Sequence, residues 1–102
     1  MDFFEQSMYW LLSGSKGSVS RLKILKALQK KPMNIHSISQ FLGLNYKTVQ
    51  HHIDLLLENN FISKTGNKYG QLFFWSEQLK SKNDLFKRIL EENDLHEEEK
   101  QK

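Results

Sequence analysis

A run of hydrogen-bond donors lies near the middle of the chain, between Tyr46 and His51. Its hydroxyl, ammonium, amide and imidazole groups can donate to phosphate oxygens or to the edges of nucleic-acid bases. Asn45, directly before the run, is a residue type that commonly caps the N-terminus of a helix. On a helix that begins here, the donors would stand at its positive end, where anions bind. The segment therefore favours recognition of a polyanion over bond-making chemistry.

Catalytic and metal chemistry have little support in the sequence. The chain has no cysteine, no Gly-rich phosphate loop and no His-x-x-x-His or His-Glu-x-x-His spacing. Neighbouring helix positions point about 100° apart, so the adjacent His51 and His52 cannot easily ligate one ion. No carboxylate pair lies in a segment that is predicted to be buried. We therefore expect no enzyme activity, no metal site and no cofactor.

Two capped helices position the donors. Asn34 is a good N-cap for a helix that ends at Gly43, a residue that readily takes the left-handed conformation. Asn45 repeats the device and begins a second helix over about residues 46–59. A short helix, a turn containing glycine and a second helix form a helix-turn-helix arrangement. The second of these helices carries the donors.

The second helix separates into two faces when its residues are placed about 100° apart. Val49, Ile53 and Leu56 fall in one narrow sector and must face the core. The opposite side is polar, with donors near the N-terminus and acidic residues further along, which suits insertion of the N-terminal end into a groove. The residues of this helix expected to contact nucleic acid are Asn45, Tyr46, Lys47, Thr48, Gln50 and His51.

Two residues of this helix, His51 and Asp54, allow more than one interpretation, whereas His52 is given one. His52, near the core flank, is expected to be a partly buried structural histidine that is hydrogen-bonded across the domain. His51 is exposed and is either only solvated or a contact to nucleic acid. Asp54 could repel phosphate, accept a proton from a cytosine amino group, or pair with Lys47 or Gln50.

The apolar pattern changes its period after Asn60. Residues 61–64 and 71–75 are rich in β-forming residues and enclose turn residues, which predicts a β-hairpin. Phe73, Phe74 and Trp75 are expected in the core rather than on a base-stacking surface. A basic hairpin directly after a helix-turn-helix is a wing. The hairpin residues expected to contact nucleic acid are Lys64, Lys68 and Tyr69.

The positive charge is concentrated in the middle of the chain. The net charge is +3, but residues 15–80 carry ten Lys and Arg against three acids. Residues 1–14 carry two acids and no base, and residues 81–102 carry five bases against seven acids. A compact basic segment attracts nucleic acid through release of counterions, although a solvated lysine-rich surface has the same composition.

Several segments together resemble the ArsR-like winged-helix transcription regulators, particularly the archaeal ones. The resemblance covers about residues 18–79. It lies in 21–25, 32–34, 55–62 and above all in Leu42-Gly43-Leu44-Asn45-Tyr46-Lys47-Thr48-Val49-Gln50-His51-His52-Ile53. It implies a mainly α winged helix-turn-helix fold with a small β-hairpin, and a dimeric DNA-binding protein with its recognition helix at 46–59 and its wing at 61–75. Metal sensing through cysteines does not carry over, because the chain has none.

Helices are also predicted outside the helix-turn-helix. Periodicity indicates one helix over residues 2–13, one over 19–31 that Pro32 ends and whose Arg21 and lysines stay solvated, and a terminal helix that Ser76 caps. In the family that the chain resembles, first and last helices often pair between subunits, which implies a homodimer through 2–13 and 77–92. The interface residues expected are Phe4, Met8, Leu11, Leu12, Leu79, Phe86, Ile89 and Leu90.

The organisation expected from these patterns has three parts. An N-terminal helix and turn over 1–17 and a C-terminal helix with a frayed acidic tail over 80–102 would serve dimerisation. The DNA-binding domain would span 18–79. The chain would be a sequence-specific regulator that binds double-stranded DNA, with its recognition helix in the major groove and its wing on the backbone. A protein–protein adaptor of the transcription machinery is the alternative, and RNA binding is a third.

Composition places this expected regulator in the cytoplasm. The chain of 102 residues is 38% hydrophobic and 26% charged, which is typical of one globular domain. The absence of cysteine gives no sign of an oxidising compartment. The longest apolar run covers only Met8 to Leu12, and no basic residue precedes Lys16, so neither a membrane span nor a signal peptide is predicted.

Overall fold

The computed structural model describes residues 1–67 and 70–95 of the chain. Helices dominate this part, and one antiparallel hairpin lies between the fourth and fifth of them, as the sequence predicts. The elements in chain order are α1 (Phe3–Ser13), α2 (Ser18–Lys30), α3 (Ile35–Leu42), α4 (Tyr46–Glu58), β1 (Ile62–Thr65), β2 (Leu72–Trp75), α5 (Glu77–Lys80) and α6 (Asn83–Glu92).

The helix-turn-helix of α3 and α4 has the caps that the sequence predicts. The side chain of Asn34 accepts a hydrogen bond from the backbone N–H of Ser37 at 2.8 Å. Gly43 ends α3 in the left-handed conformation, with a φ of 67°. Asn45 then accepts from the backbone N–H groups of Lys47 and Thr48 at 2.8 and 3.4 Å. These caps satisfy backbone donors that a helix start would otherwise leave unpaired, so the turn between α3 and α4 is locally determined.

The hairpin is attached to the helices through β2. Phe73 exchanges two backbone hydrogen bonds with Met33, at 2.8 and 3.2 Å, which brings the segment before α3 alongside the sheet. The indole N–H of Trp75 donates to the carbonyl of Leu25 in α2 at 2.8 Å. Phe73 and Trp75 are buried as expected, whereas Phe74 points to the other face of the strand and is only half-buried. The expectation of a core position is therefore correct for two of these three aromatic residues.

The C-terminal region is two helices rather than the single helix that the sequence predicts. α5 has only four residues, and a turn at Ser81 and Lys82 separates it from α6. The Ser81 hydroxyl donates to the carbonyl of Gln78 at 2.6 Å. Lys82 donates to Asp2 and Glu5 at the start of α1, at 3.1 and 2.9 Å. α6 begins after this break and packs against α1.

The residues expected at a dimer interface lie inside the chain's own core. The eight side chains, which are those of Phe4, Met8, Leu11, Leu12, Leu79, Phe86, Ile89 and Leu90, are at most 8% exposed. The apolar stripes of α1 and α6 pack against each other and belong to the single core cluster of this chain. Within one chain these side chains therefore serve the core. Their assignment to a dimer interface stays a prediction.

No helix in the described part of the chain is long and apolar enough to cross a membrane. The predicted acidic tail lies outside the described residues from position 96 onward.

Candidate nucleic-acid interface

The first half of α4 presents its polar residues to solvent. Val49, Ile53 and Leu56 are at most 1% exposed and hold the helix against the core. Tyr46 on the flank is 50% exposed, which leaves its hydroxyl accessible. The remaining predicted contact residues of the helix, Lys47, Thr48, Gln50 and His51, are all exposed. The two faces derived from helical periodicity are therefore present in the structure.

Asn45 has a structural task at the start of this helix. Its side-chain oxygen is occupied by the two backbone N–H groups that it caps. A contact to nucleic acid would have to use the amide nitrogen, which is a donor only. Asn45 therefore fixes the position of the exposed donors, and its own contact stays a prediction.

The charges along the outer face of α4 are not evenly distributed. No Asp or Glu occurs between Glu5 and Asp54, so residues 6–53, which include α3 and the first half of α4, carry no carboxylate side chain. Asp54 and Glu58 are exposed, and Asp54 lies about 10 Å along the helix axis from Lys47. The end of α4 that carries the donors is therefore its basic end, and it coincides with the positive end of the helix dipole.

A buried network attaches α4 to the N-terminal part of the chain. The Arg21 guanidinium donates to the carbonyls of Leu11 and Lys16 at 2.8 and 3.1 Å and to the hydroxyl of Ser15 at 2.6 Å. It also lies 3.3 Å from Nδ1 of His52 in α4. Since a guanidinium can only donate, the histidine nitrogen is the acceptor. One side chain thus links α1, the following turn and α4.

Burial favours the neutral form of His52 in this network. Desolvation lowers the pKa of His52 below its ordinary value of 6.5, and the positive charge of Arg21 acts in the same direction. The neutral ring is the form that can accept the bond from Arg21. His52 is only 7% exposed, so the predicted structural histidine is confirmed, with Arg21 as its partner across the domain.

The partner itself was not predicted, because Arg21 was expected to be solvated with the lysines of α2. It is only 3% exposed. Its position gave a usable signal, because Arg21, Leu25 and Leu28 follow the spacing of one helical face and both leucines are buried. A charged residue within an apolar stripe indicates a buried polar network.

The wing is described only in part. Lys64 lies in β1, opposite Phe73 of β2, and is exposed. Lys68 and Tyr69, the other predicted contacts of the hairpin, lie outside the described residues. Lys64 is thus the one predicted wing contact that the described part of the hairpin places at the surface.

The exposed side of α1 carries two large apolar residues. Phe3 is 82% exposed and Trp10 is 63% exposed. They are seven positions apart, so they lie on the same side of the helix. Apolar side chains of this size, exposed and aligned, are typical of a surface that contacts another protein.

The described part of the chain contains no cluster of three or more His, Asp or Glu residues that could hold a metal ion. The whole chain lacks cysteine, so thiolate ligands are absent from its sequence.

Residues 18–64 match the family described as bacterial regulatory protein, arsR family. This confirms the ArsR-like resemblance for that segment, whereas the relation to archaeal members stays a prediction. No curated protein sequence matches the chain.

Several solved structures are similar to the chain. Reduced HlyU from Vibrio cholerae is 16% identical, with a TM-score of 0.64 over 83% of this chain and 87% of that one. A homodimeric winged helix-turn-helix DNA-binding domain from Mycobacterium bovis, described as a possible ArsR-family transcriptional regulator, is 12% identical, with a TM-score of 0.66 over 96% and 88%. FabT from Streptococcus pneumoniae, solved in complex with DNA, is 14% identical, with a TM-score of 0.60 over 87% and 67%. The chain therefore has the winged helix-turn-helix fold.

Proposed function

We propose that the chain is a DNA-binding transcriptional regulator that places the N-terminal half of α4 in the major groove and the hairpin on the phosphate backbone. The observation that carries the proposal is the exposed row of donors at the capped, basic end of α4. The match of residues 18–64 to a family of regulatory proteins supports it. So do the structural neighbours whose descriptions mention regulation or DNA.

Each exposed donor has a role that follows from its place. Lys47, Gln50 and His51 project from the outer side of α4 and reach base edges, where amide and cationic donors discriminate between base pairs. Tyr46 and Thr48, on the first turn, hold phosphates through their hydroxyl groups, helped by the helix dipole. The wing contacts phosphates through Lys64, Lys68 and Tyr69.

Binding to duplex DNA across a salt series tests this function. The full chain would be titrated with the DNA upstream of its own gene and with random duplex at several salt concentrations. We expect affinity to fall steeply as salt rises, with a logarithmic slope near −5 for about six phosphate contacts, because bound lysines release counterions. Negligible affinity at low salt, together with a co-purifying protein, would favour the adaptor function instead.

The regulator is also proposed to act as a homodimer. The similarity to a homodimeric domain supports this, as does the exposed pair of Phe3 and Trp10 on α1. Two copies that join through this face would need their α4 helices about 34 Å apart to enter successive major grooves on one side of the duplex.

A further inference from the structure

A groove separate from the outer face of α4 lies between α2 and α3. It encloses about 630 Å³, within the range of small-molecule sites. Its apolar surface comes from Ala27 in α2, Met33, Phe41 and Leu42 in or before α3, and Leu95 after α6. Phe41 forms one wall of the groove and is 66% exposed, which is high for a phenylalanine.

Lysines surround this apolar surface. Lys23, Lys26, Lys30 and Lys31 line the groove, and no acidic residue is among its described lining residues. Lys23 and Lys30 are two helical turns apart, so the groove follows α2 for about 10 Å. Lys30 ends α2 and Lys31 follows it directly toward Met33, and both are exposed.

We propose that this groove binds an organic carboxylate with an extended apolar chain. The chain would lie along Ala27, Leu42 and Phe41, which removes apolar surface of both molecules from water. The carboxylate would stand at the end where Lys30 and Lys31 supply two ammonium donors. A neutral apolar ligand would leave those charges unused, and a small anion would leave the apolar surface in water. An amphipathic anion satisfies both.

The binding does not depend on the proposed interaction with DNA. α3, which forms one wall, is the first helix of the helix-turn-helix, whereas the donors proposed to contact DNA lie on α4. A ligand in the groove would therefore contact a neighbour of the recognition helix without covering its outer face.

Calorimetric titration of the full chain with octanoate, below its micelle-forming concentration, tests the proposal. We expect saturable binding of one octanoate per chain. Octanol has the same chain without the charge, and butyrate has the charge with a shorter chain. Octanol and butyrate should each bind at least about tenfold more weakly than octanoate, because each lacks one of the two sets of contacts.

Matched variants locate the binding. Phe41→Ala and the double variant Lys30→Glu, Lys31→Glu should each weaken octanoate binding about tenfold. Val19→Ala and Lys16→Glu change exposed residues outside the groove and should leave it unchanged. All five substituted positions are exposed, and thermal unfolding would verify that each of the four variants folds.

Several results would overturn the proposal. These are the absence of saturable octanoate binding, equal affinity for octanol, or unaltered binding by the groove variants. If Phe41→Ala instead converts a dimer to monomers, the groove is occupied by a second copy. If the lysine variant loses DNA affinity while octanoate does not bind, these lysines belong to the nucleic-acid surface. DNA binding that fails while octanoate still binds would contradict the proposed function alone.

Discussion

The first half of α4 and the contact between α1 and α6 are both built on helical faces, yet they use those faces in opposite ways. On α4 the side chains that point away from the core are polar and exposed. Between α1 and α6 the apolar side chains are buried within one chain. Lys82, at the start of α6, forms ion pairs with Asp2 and Glu5 at the start of α1. The first region has donors available for a ligand, whereas the second region stabilises the fold.

Exposed residues are the ones that a partner can contact without opening the core of this chain. The buried stripe of α1 holds α6, and the other side of the same helix exposes Phe3 and Trp10. An intramolecular core and a binding surface can thus occupy two sides of one helix. Substitutions at buried and at exposed positions should separate the role in the core from the role in binding.

The largest effect is expected from Phe86→Ala in α6. Phe86 is fully buried and its ring packs edge-on against Trp75 with centroids 4.8 Å apart. Removing it should lower the free energy of unfolding by about 3–5 kcal/mol through lost burial and a cavity. Denaturant unfolding at several protein concentrations would measure this.

Phe3→Ala on the opposite side of α1 is the control for that experiment. Because Phe3 is 82% exposed, the change should leave the stability of the single chain nearly unaltered and weaken self-association in sedimentation. The comparison fails if Phe86→Ala shifts only the association equilibrium while Phe3→Ala unfolds the chain.

A smaller loss of stability is expected from Gly17→Ala in the turn that connects α1 with α2. Gly17 has a φ of 87°, and an added Cβ would lie 2.9 Å from the His52 ring and 3.0 Å from the Arg21 guanidinium. The left-handed conformation alone costs a non-glycine residue about 1–2 kcal/mol. The contact with His52 should also displace α4, which chemical shifts of its backbone amides would report.

Gly14→Ala is the matched control, because Gly14 has a φ of −115° and its added Cβ would make only ordinary contacts of 3.5 Å or more. It should change stability little. Equal effects of the two substitutions would show that the attachment of α4 through Arg21 and His52 is not sensitive to this turn.

The pH dependence of stability should report the same attachment. Because the folded chain lowers the pKa of His52, it binds a proton less readily than the unfolded chain does. The stabilisation is complete above the ordinary value of 6.5 and is lost as the pH falls from there through the lowered pKa. His52→Gln should remove this part of the pH profile of unfolding, and His36→Gln, at an exposed position, should retain it. An identical pH profile of unfolding in the unsubstituted chain, in His52→Gln and in His36→Gln would contradict the buried interaction of His52 with Arg21.

Local signals made much of the fold predictable. Asn34, Gly43 and Asn45 act on backbone groups within a few residues of themselves, so their residue types were sufficient to place α3 and α4. The outward face of α4 followed from the period of its apolar residues. These are the parts of the candidate site that sequence reasoning could reach.

Features that depend on distant contacts could not be predicted in the same way. The break between α5 and α6 lies at Lys82, which forms ion pairs with Asp2 and Glu5, about eighty positions away in sequence. The role of Arg21 depends on acceptors in three other segments, including His52 of α4. Periodicity also identifies an apolar stripe without identifying the surface that covers it, which for α1 and α6 can be the chain itself or a second subunit.

We propose that α4 reads DNA sequence while the wing holds the backbone. The most direct measurement compares Lys47→Ala, Gln50→Ala and Lys64→Ala by their affinities for a set of duplexes that differ by single base pairs. The two α4 variants should change the order of preference, by about 1–3 kcal/mol at one or two base positions. Lys64→Ala should weaken binding to all duplexes alike and reduce the salt slope by about one for each lysine removed. An unchanged order in both α4 variants, with a new order in Lys64→Ala, would contradict this account.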